Sequence, residues 1–353
     1  MSNEIKKLFV YGTLLQGEPR SRFLQDSDLL GSLEVPGELY ITGMGYPAAS
    51  FKRKPNQRVC GELYELSGDN ITDKIMMLDE IEGIENGLFK RKELEISGHH
   101  FFAYEAGGSL DNFLMDRYRI KSGNWRLHGS IAKKDPIKFA LDFENFSAKS
   151  YRELPLEGTM GSIHLRGEAP ILVTAPHASA HLRMSKLKSQ ETFTGSLSVI
   201  LHAMTGSHAL YTHRASKIDP NFYDESSFKK KMARIVKSFG IRFVLDVHGT
   251  STTKVGDVFP GVGFDNEFLV SNEVFIDKLI KCSKRFGIRL GGSKIFPASR
   301  QMTVTKFVAR NLGIPAMQIE VNEKLRSPDI LPQSFEKLVS FLVCFLSTVK
   351  DIC

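Results

Sequence analysis

Cysteine is scarce in this chain. There are four in 353 residues, Cys60, Cys282, Cys344 and Cys353, and none forms a Cys-x-x-Cys pair. That excludes a disulfide framework and a thiolate metal knuckle, and predicts reduced, packed thiols in a cytoplasmic protein. Long apolar runs are also missing. The longest, Leu338 to Val349, falls short of the roughly 20 residues a bilayer span requires, and predicts a buried C-terminal helix. The N-terminus passes from charged residues straight into Leu8-Phe9-Val10-Tyr11 with no apolar leader and no small-residue cleavage site, so neither export nor a membrane partner is expected. Internal repeats and low-complexity tracts are absent. Charge of one sign is not in large excess: 47 Lys+Arg against 40 Asp+Glu leaves +7. The basic clusters Lys52-Arg53-Lys54, Lys90-Arg91-Lys92 and Lys229-Lys230-Lys231 sit beside acidic residues or on a helix face. They read as solvated surface, no nucleic-acid partner is expected, and the charge better suits acidic small substrates.

What remains is an ordinary globular composition, 42% hydrophobic and 25% charged, in a chain long enough for two cores. The first part is rich in short β-like runs: Leu8 to Tyr11, Val59 to Leu66 and Phe101 to Tyr104. Ile71, Ile75, Leu78 and Ile81 recur at helical spacing and predict a helix over 70–81. The mixture predicts an α+β domain with a small β-barrel-like sheet over residues 1–127. The pattern lapses over 128–164, which is assigned as linker and crossover. From 165 to 353 strand and helix alternate: Ile171–Thr174, a helical face on Phe228, Met232, Ile235 and Val236, then Phe243–Val247, helices over 272–286 and 303–312, and a strand over 314–321. That rhythm predicts an α/β domain with a mixed, helix-covered sheet. The His99-His100 pair reads as part of a turn.

Two constellations carry chemistry. In the first, the strand ending Val10-Tyr11 runs into Gly12-Thr13-Leu14. Glycine lets backbone approach closely, so successive N–H groups can face an anion. Downstream, Leu78-Asp79-Glu80-Ile81-Glu82-Gly83 ends a helix on carboxylates. A pocket around Glu82 would desolvate it, raise its pKa and make it a base usable near neutrality.

These pieces resemble the γ-glutamylcyclotransferase-like family. The similarity continues through Gly37-Glu38-Leu39-Tyr40, Tyr46-Pro47-Ala48, Gly61-Glu62-Leu63-Tyr64, Phe89-Lys90-Arg91, Tyr104 and Ser122-Gly123-Asn124-Trp125. The resemblance implies that Tyr11, Gly12, Thr13 and Leu14 bind the glutamyl part through backbone N–H groups. It also implies that Glu82 is the catalytic acid/base. Phe89 stands where the family usually has Tyr. A γ-glutamyl amide carries its own nucleophile, the α-amine, which closes a five-membered lactam and expels the amine. Such a reaction asks the protein only for proton transfer and an oxyanion site.

In the second constellation His177 follows the strand 171–174, His248 follows the strand 243–247, Glu320 lies in the strand ending at Val321, and Glu191 precedes a helix. Ligands of open α/β sheets bind beyond the carboxyl ends of strands, so both histidines are expected in one crevice. Two histidines and a carboxylate suit one zinc ion with a position left for water. Asp246 is expected behind a histidine, while His164, His181, His202, His208 and His213 read as packed core or loop residues.

Residues 165–340 are similar to the N-formylglutamate amidohydrolase family, relatives of the zinc carboxypeptidases. The matching pieces are Thr174 to Ser179, Glu191 to Thr194, Arg214 with Asp219-Pro220-Asn221, Leu245 to Gly249, and Gly313 to Asn322. The resemblance implies zinc ligands His177, Glu191 and His248, a general base Glu320, and substrate contacts near Asn221. The family often has Asn-Arg near the substrate carboxylate where this chain has Asn221-Phe222, leaving Arg214 or Arg300 to supply a cation. The expectation is a bifunctional enzyme: cyclotransfer releasing 5-oxoproline, and zinc-dependent hydrolysis of an N-acyl amino acid or related amide. The alternatives are a hydrolase whose N-terminal domain only binds ligand, and a non-enzymatic metabolite sensor.

Overall fold

The computed structural model describes residues 5–52, 56–68, 70–96, 98–156, 159, 161–270, 272–292 and 294–353. Arg53 and Lys54 of the first basic cluster lie outside these described residues. The chain divides into two compact units, Met1–Lys134 and Asp135–Cys353.

The first unit runs β1 (Lys7–Val10), β2 (Asp28–Pro36), β3 (Glu38–Ile41), β4 (Pro47–Ser50), β5 (Arg58–Glu65), α1 (Ile71–Ile81), β6 (Phe89–Ile96), β7 (His99–Ala106) and α2 (Ile131–Lys134). Five strands form one sheet in the order β2-β5-β1-β7-β6, and β3 and β4 form a separate hairpin. Strand β1 is central, antiparallel to β5 and parallel to β7. Its Leu8, Phe9 and Val10 are all buried, the pattern of a strand covered on both faces. The Phe9 ring lies 6.2 Å from Tyr11, 6.3 Å from Phe51 and 6.0 Å from Phe101. The expected barrel-like sheet is thus an open sheet with β2 and β6 at its edges, plus the hairpin. His99 and His100 begin β7 rather than lying in a turn, because Ile96 and Glu95 pair with them across the ladder.

Helix α1 starts where Asn70 accepts from the backbone N–H of Thr72 and Asp73, satisfying two donors that the first turn leaves unpaired. It stops at Gly83, whose φ of 64° is left-handed and favours glycine. A Cβ there would also come within 2.8 Å of Leu88. This stop fixes Glu82 at the helix end.

The second unit runs α3 (Pro136–Ser147), β8 (Ser162–Leu165), β9 (Ile171–Ala175), β10 (His181–Arg183), β11 (Lys186–Lys188), α4 (Thr194–Thr205), β12 (His208–Thr212), α5 (Ser227–Phe239), β13 (Phe243–Thr250), β14 (Val258–Gly261), α6 (Val274–Phe286), α7 (Val304–Phe307), β15 (Ala316–Asn322), α8 (Glu323–Arg326) and α9 (Pro332–Lys350). The sheet order is β14-β15-β13-β9-β12-β8. The inner four strands are parallel and the two edges antiparallel. On one face Leu172, Leu210 and Val244 meet Phe228, Met232 and Ile235 of α5 and Val304 of α7. On the other, Phe243 reaches Phe275 of α6 at 4.7 Å and Phe345 of α9 at 5.9 Å. The apolar stretch 338–349 is indeed helical, within α9, and it is packed on α3, α4 and α6.

Three expectations are corrected here. Residues 128–164 are not a bare linker: from Asp135 onward they belong to the second unit, supplying α3 and the edge strand β8. Asp135 accepts from the Lys138 N–H and Pro136 opens α3, so the Asp-Pro pair starts a helix. The helix expected over 303–312 is α7 followed by a π-turn at Val308–Leu312. Lys229 is not solvated surface. It is buried, and its ammonium donates to the carbonyls of Tyr223 (2.6 Å) and Met302.

Candidate active sites

In the first unit β1 delivers Tyr11 into the turn Gly12–Leu15, closed by Leu15 N–H donating to the Gly12 carbonyl at 3.1 Å. A Cβ on Gly12 would sit 2.9 Å from the Pro47 ring, so glycine permits the turn to press against β4. No described residue accepts a hydrogen bond from the N–H groups of Gly12, Thr13 or Leu14. They line a cleft with Glu82, Arg20, Tyr46, Phe89 and Tyr104. The far side of the turn is pinned. Glu62 accepts from Gln16 N–H at 2.7 Å and from Arg126 at 2.7 Å, and Arg126 also donates to the Gln16 carbonyl at 2.8 Å. Glu18 is held by Ser130.

Glu82 is buried, and among the described residues its ion-pair partner is Arg20, at 4.0 Å. Burial pushes its carboxyl up to about 7, against a smaller downward pull from Arg20. No other described residue neutralises it, so near neutral pH it exchanges a proton at little cost. Tyr11 donates to the Tyr104 carbonyl at 2.6 Å, and Tyr104 donates to Asp79 at 2.8 Å. Burial first, and then the Glu82 charge, raises the Tyr11 phenol well above its usual value. Both phenols therefore stay protonated donors.

In the second unit the sheet brings four elements to one place. His248 lies directly across from Glu320 in the β13–β15 ladder. His177 follows β9, and Glu191 precedes α4. The Glu191 carboxylate bridges the two imidazoles, 2.9 Å from His177 Nδ1 and 3.2 Å from His248 Nδ1. Gly249 N–H donates to it at 2.9 Å. The far nitrogens are also taken: His177 Nε2 meets Asp219 at 2.8 Å and His248 Nε2 meets Asp246 at 3.1 Å. Asp246 accepts in turn from Thr174 at 2.6 Å. Burial opposes charge on both histidines, yet the carboxylates outweigh it and raise them. Burial likewise opposes a charged Glu191, but His177 and then His248 hold it well below the usual range. Glu320 is pushed up to about 7, by burial first, and Gln318 donates to it at 3.0 Å.

The donor set fits a zinc ion. Ligands at roughly 2.0–2.2 Å in a tetrahedron stand about 3.3 Å apart, and the His177, Glu191 and His248 donor atoms lie within 4.8 Å of one another. Each histidine also passes its other nitrogen to a carboxylate, the arrangement that orients ligating imidazoles. The remaining sequence candidates are less central. Arg214 is buried and bonded to Glu153 at 3.0 Å, lining a different cleft with Pro155, Lys217 and Phe228. Asn221 is structural on two sides: its backbone N–H donates to Asp219 at 2.8 Å and its side-chain Oδ1 accepts from Val304 N–H at 2.7 Å. Arg300 is exposed in the turn before α7.

Four residues escaped the sequence reading. Asp219 stands in the sequence only as part of the Asp219-Pro220-Asn221 motif, yet it accepts from His177. His181 stacks on His177 with centroids 3.9 Å apart. Arg183 donates to Asp219 at 2.5 Å. Glu144 of α3 accepts from Phe193 N–H at 2.8 Å, bracing the turn that follows Glu191. A Phe139, Phe143, Phe146 spacing after Asp135-Pro136 was the available signal for α3 and hence for Glu144.

Geometry thus defines a cleft around a buried carboxyl in the first unit and a histidine–carboxylate cluster in the second. Residues 8–127 match the family described as gamma-glutamyl cyclotransferase, AIG2-like. The gamma-L-glutamyl-butirosin B gamma-glutamyl cyclotransferase of Niallia circulans is 33% identical over 119 residues, 31% of this chain and 72% of that relative. The chain therefore belongs to the γ-glutamyl cyclotransferase family through its first unit. Among solved structures, an AIG2-like protein from Mus musculus is 20% identical, covering 33% of this chain and 86% of that one with a TM-score of 0.28. A bacteriophage poly-gamma-glutamate hydrolase is 14% identical, covering 55% of this chain and 90% of that one with a TM-score of 0.36. Superpositions this loose define neither a site nor an activity.

Proposed function

We propose that the first unit releases 5-oxoproline and an amine from a γ-glutamyl amide. The observation that carries this reading is the buried, nearly unpaired Glu82 facing the free N–H groups of Gly12 to Leu14. Glu82 takes a proton from the substrate α-amine as the amine attacks the γ-carbonyl. The turn N–H groups hold the developing oxyanion. Glu82 then returns the proton to the leaving nitrogen, so one carboxylate serves both directions. The lactam forms as the C–N bond to the amine breaks, and no water is consumed. The test is chromatographic detection of 5-oxoproline from a panel of γ-glutamyl amines with wild type and Glu82→Gln. Equal release by both would overturn the assignment.

A second reading concerns the second unit, and the bridged His177–Glu191–His248 set favours it. It is a zinc-dependent hydrolase of an N-acyl amino acid or related small amide. Zinc in such a set polarises an amide carbonyl and acidifies water. His177, Glu191 and His248 would hold the ion, and Glu320 would accept a proton from water and deliver it to the leaving nitrogen. Both activities would act on small amides and would not require each other. Metal analysis of the purified full chain, with hydrolysis of N-acyl amino acids measured alongside, tests this. Zinc absent at one equivalent from wild type, or retained in both His177→Ala and His248→Ala, would remove it.

A further inference from the structure

We propose that Arg183, at the end of β10, is the residue that recognises a substrate carboxylate at the second unit's site; this rests on the hydrolase reading above. The sequence offered Arg214 and Arg300 for that task. Arg214 is instead bonded to Glu153 in another cleft, and Arg300 stands in an exposed turn. Arg183 is joined to the histidine cluster by one intermediary. Its Nε donates to Asp219 Oδ2 at 2.5 Å, while Asp219 Oδ1 takes His177 Nε2 at 2.8 Å. His181, stacked on His177, places its Nε2 3.5 Å from Asp219 Oδ2, the oxygen that Arg183 also uses.

That anchoring leaves a particular part of the guanidinium available. A guanidinium presents a fork of five donors, and its end-on pair of Nη groups matches the two oxygens of a carboxylate. Asp219 occupies only the Nε side. No described residue takes either Nη group. The side chain is one-third exposed, whereas Asp219 is fully buried. The plane is steadied from one face by Phe222, whose ring centroid lies 5.3 Å from Cζ, a cation–π distance. Arg183 is thus a cation fixed at its base by a buried carboxylate, braced by an aromatic ring, and open at its tip. The substrate class is a small amide bearing a free carboxylate, such as an N-acyl amino acid, and a neutral amide of the same shape is bound more weakly.

The experiment uses the full chain and two probes, N-acetyl-L-glutamate and its dimethyl ester, with binding measured calorimetrically and zinc stoichiometry measured separately. Wild type is expected to bind the diacid at least 10-fold more tightly than the ester. Arg183→Ala and Arg183→Gln should abolish that preference, with zinc content and melting temperature retained in at least the Gln variant; Arg183→Lys should keep part of it. Zinc at one equivalent together with a diacid preference that survives both Arg183 variants, or that vanishes in Arg300→Ala instead, overturns the proposal. So does a wild type that binds the two probes equally. Failure of the hydrolase reading looks different: zinc fails to bind, whatever the probes do.

Discussion

Glu82 of the first site and Glu191 of the second are carboxylates whose proton affinities move in opposite directions. In the first unit Glu82 is buried with a single cation 4.0 Å away, and its proton affinity rises to about 7. In the second, Glu191 is partly exposed and touches two imidazoles and a backbone N–H, and its proton affinity falls well below normal. Desolvation acts on both. What differs is the number of partners, and the partners decide the sign. An under-partnered buried carboxylate is suited to moving protons, and a carboxylate bridging imidazoles is suited to holding a cation.

The sharpest way to break this comparison is to remove the lone carboxylate. Glu82→Gln should lower 5-oxoproline release about 10²–10⁴-fold, the usual contribution of a positioned acid/base, while zinc content stays unchanged. The converse change, His248→Ala, should take zinc from one equivalent towards none by metal analysis and leave 5-oxoproline release intact.

The contrast also has a stability signature. Glu82 binds its proton more tightly folded than unfolded, so its contribution is fully present below the unfolded value of 4.5 and lost as pH rises through about 7. Above pH 8 the ionised buried group costs at most on the order of 3 kcal/mol. Glu82→Gln should therefore melt higher than wild type at pH 9 and gain progressively less as pH falls towards 5. A pH-independent difference would show that Glu82 titrates normally. The smallest expected effect is at the supporting carboxylate: Asp246→Asn should weaken zinc about 10–100-fold in a competition titration without abolishing it.

Much of this was legible in the chain because the decisive residues sit at element ends. Glu82 precedes the glycine that stops α1, His177 lies just beyond β9, and His248 and Glu320 lie two positions before the ends of β13 and β15. Such positions are marked locally by strand runs and glycine stops. Asp219, Arg183, His181 and Glu144 were not legible as partners, because each acts through contacts 4 to 49 residues away along the chain. Spacing says nothing about such contacts. The span 128–164 was misread for a different reason: Asp135-Pro136 is equally good chemistry for a turn and for a helix start, and only the packing of α3 decides between them. Similarly, Lys229 shares a basic run with two more accessible lysines, yet helix geometry turns it inward to two carbonyls.

The most direct measurement of the central claim is the pH–rate profile of 5-oxoproline release by the full chain after exhaustive chelation. If one desolvated carboxylate performs the proton transfers, release survives metal removal and rises with pH to a plateau, with an apparent pKa near 7. Release that disappears with the metal, or that shows no titration between pH 5 and 9, would contradict it.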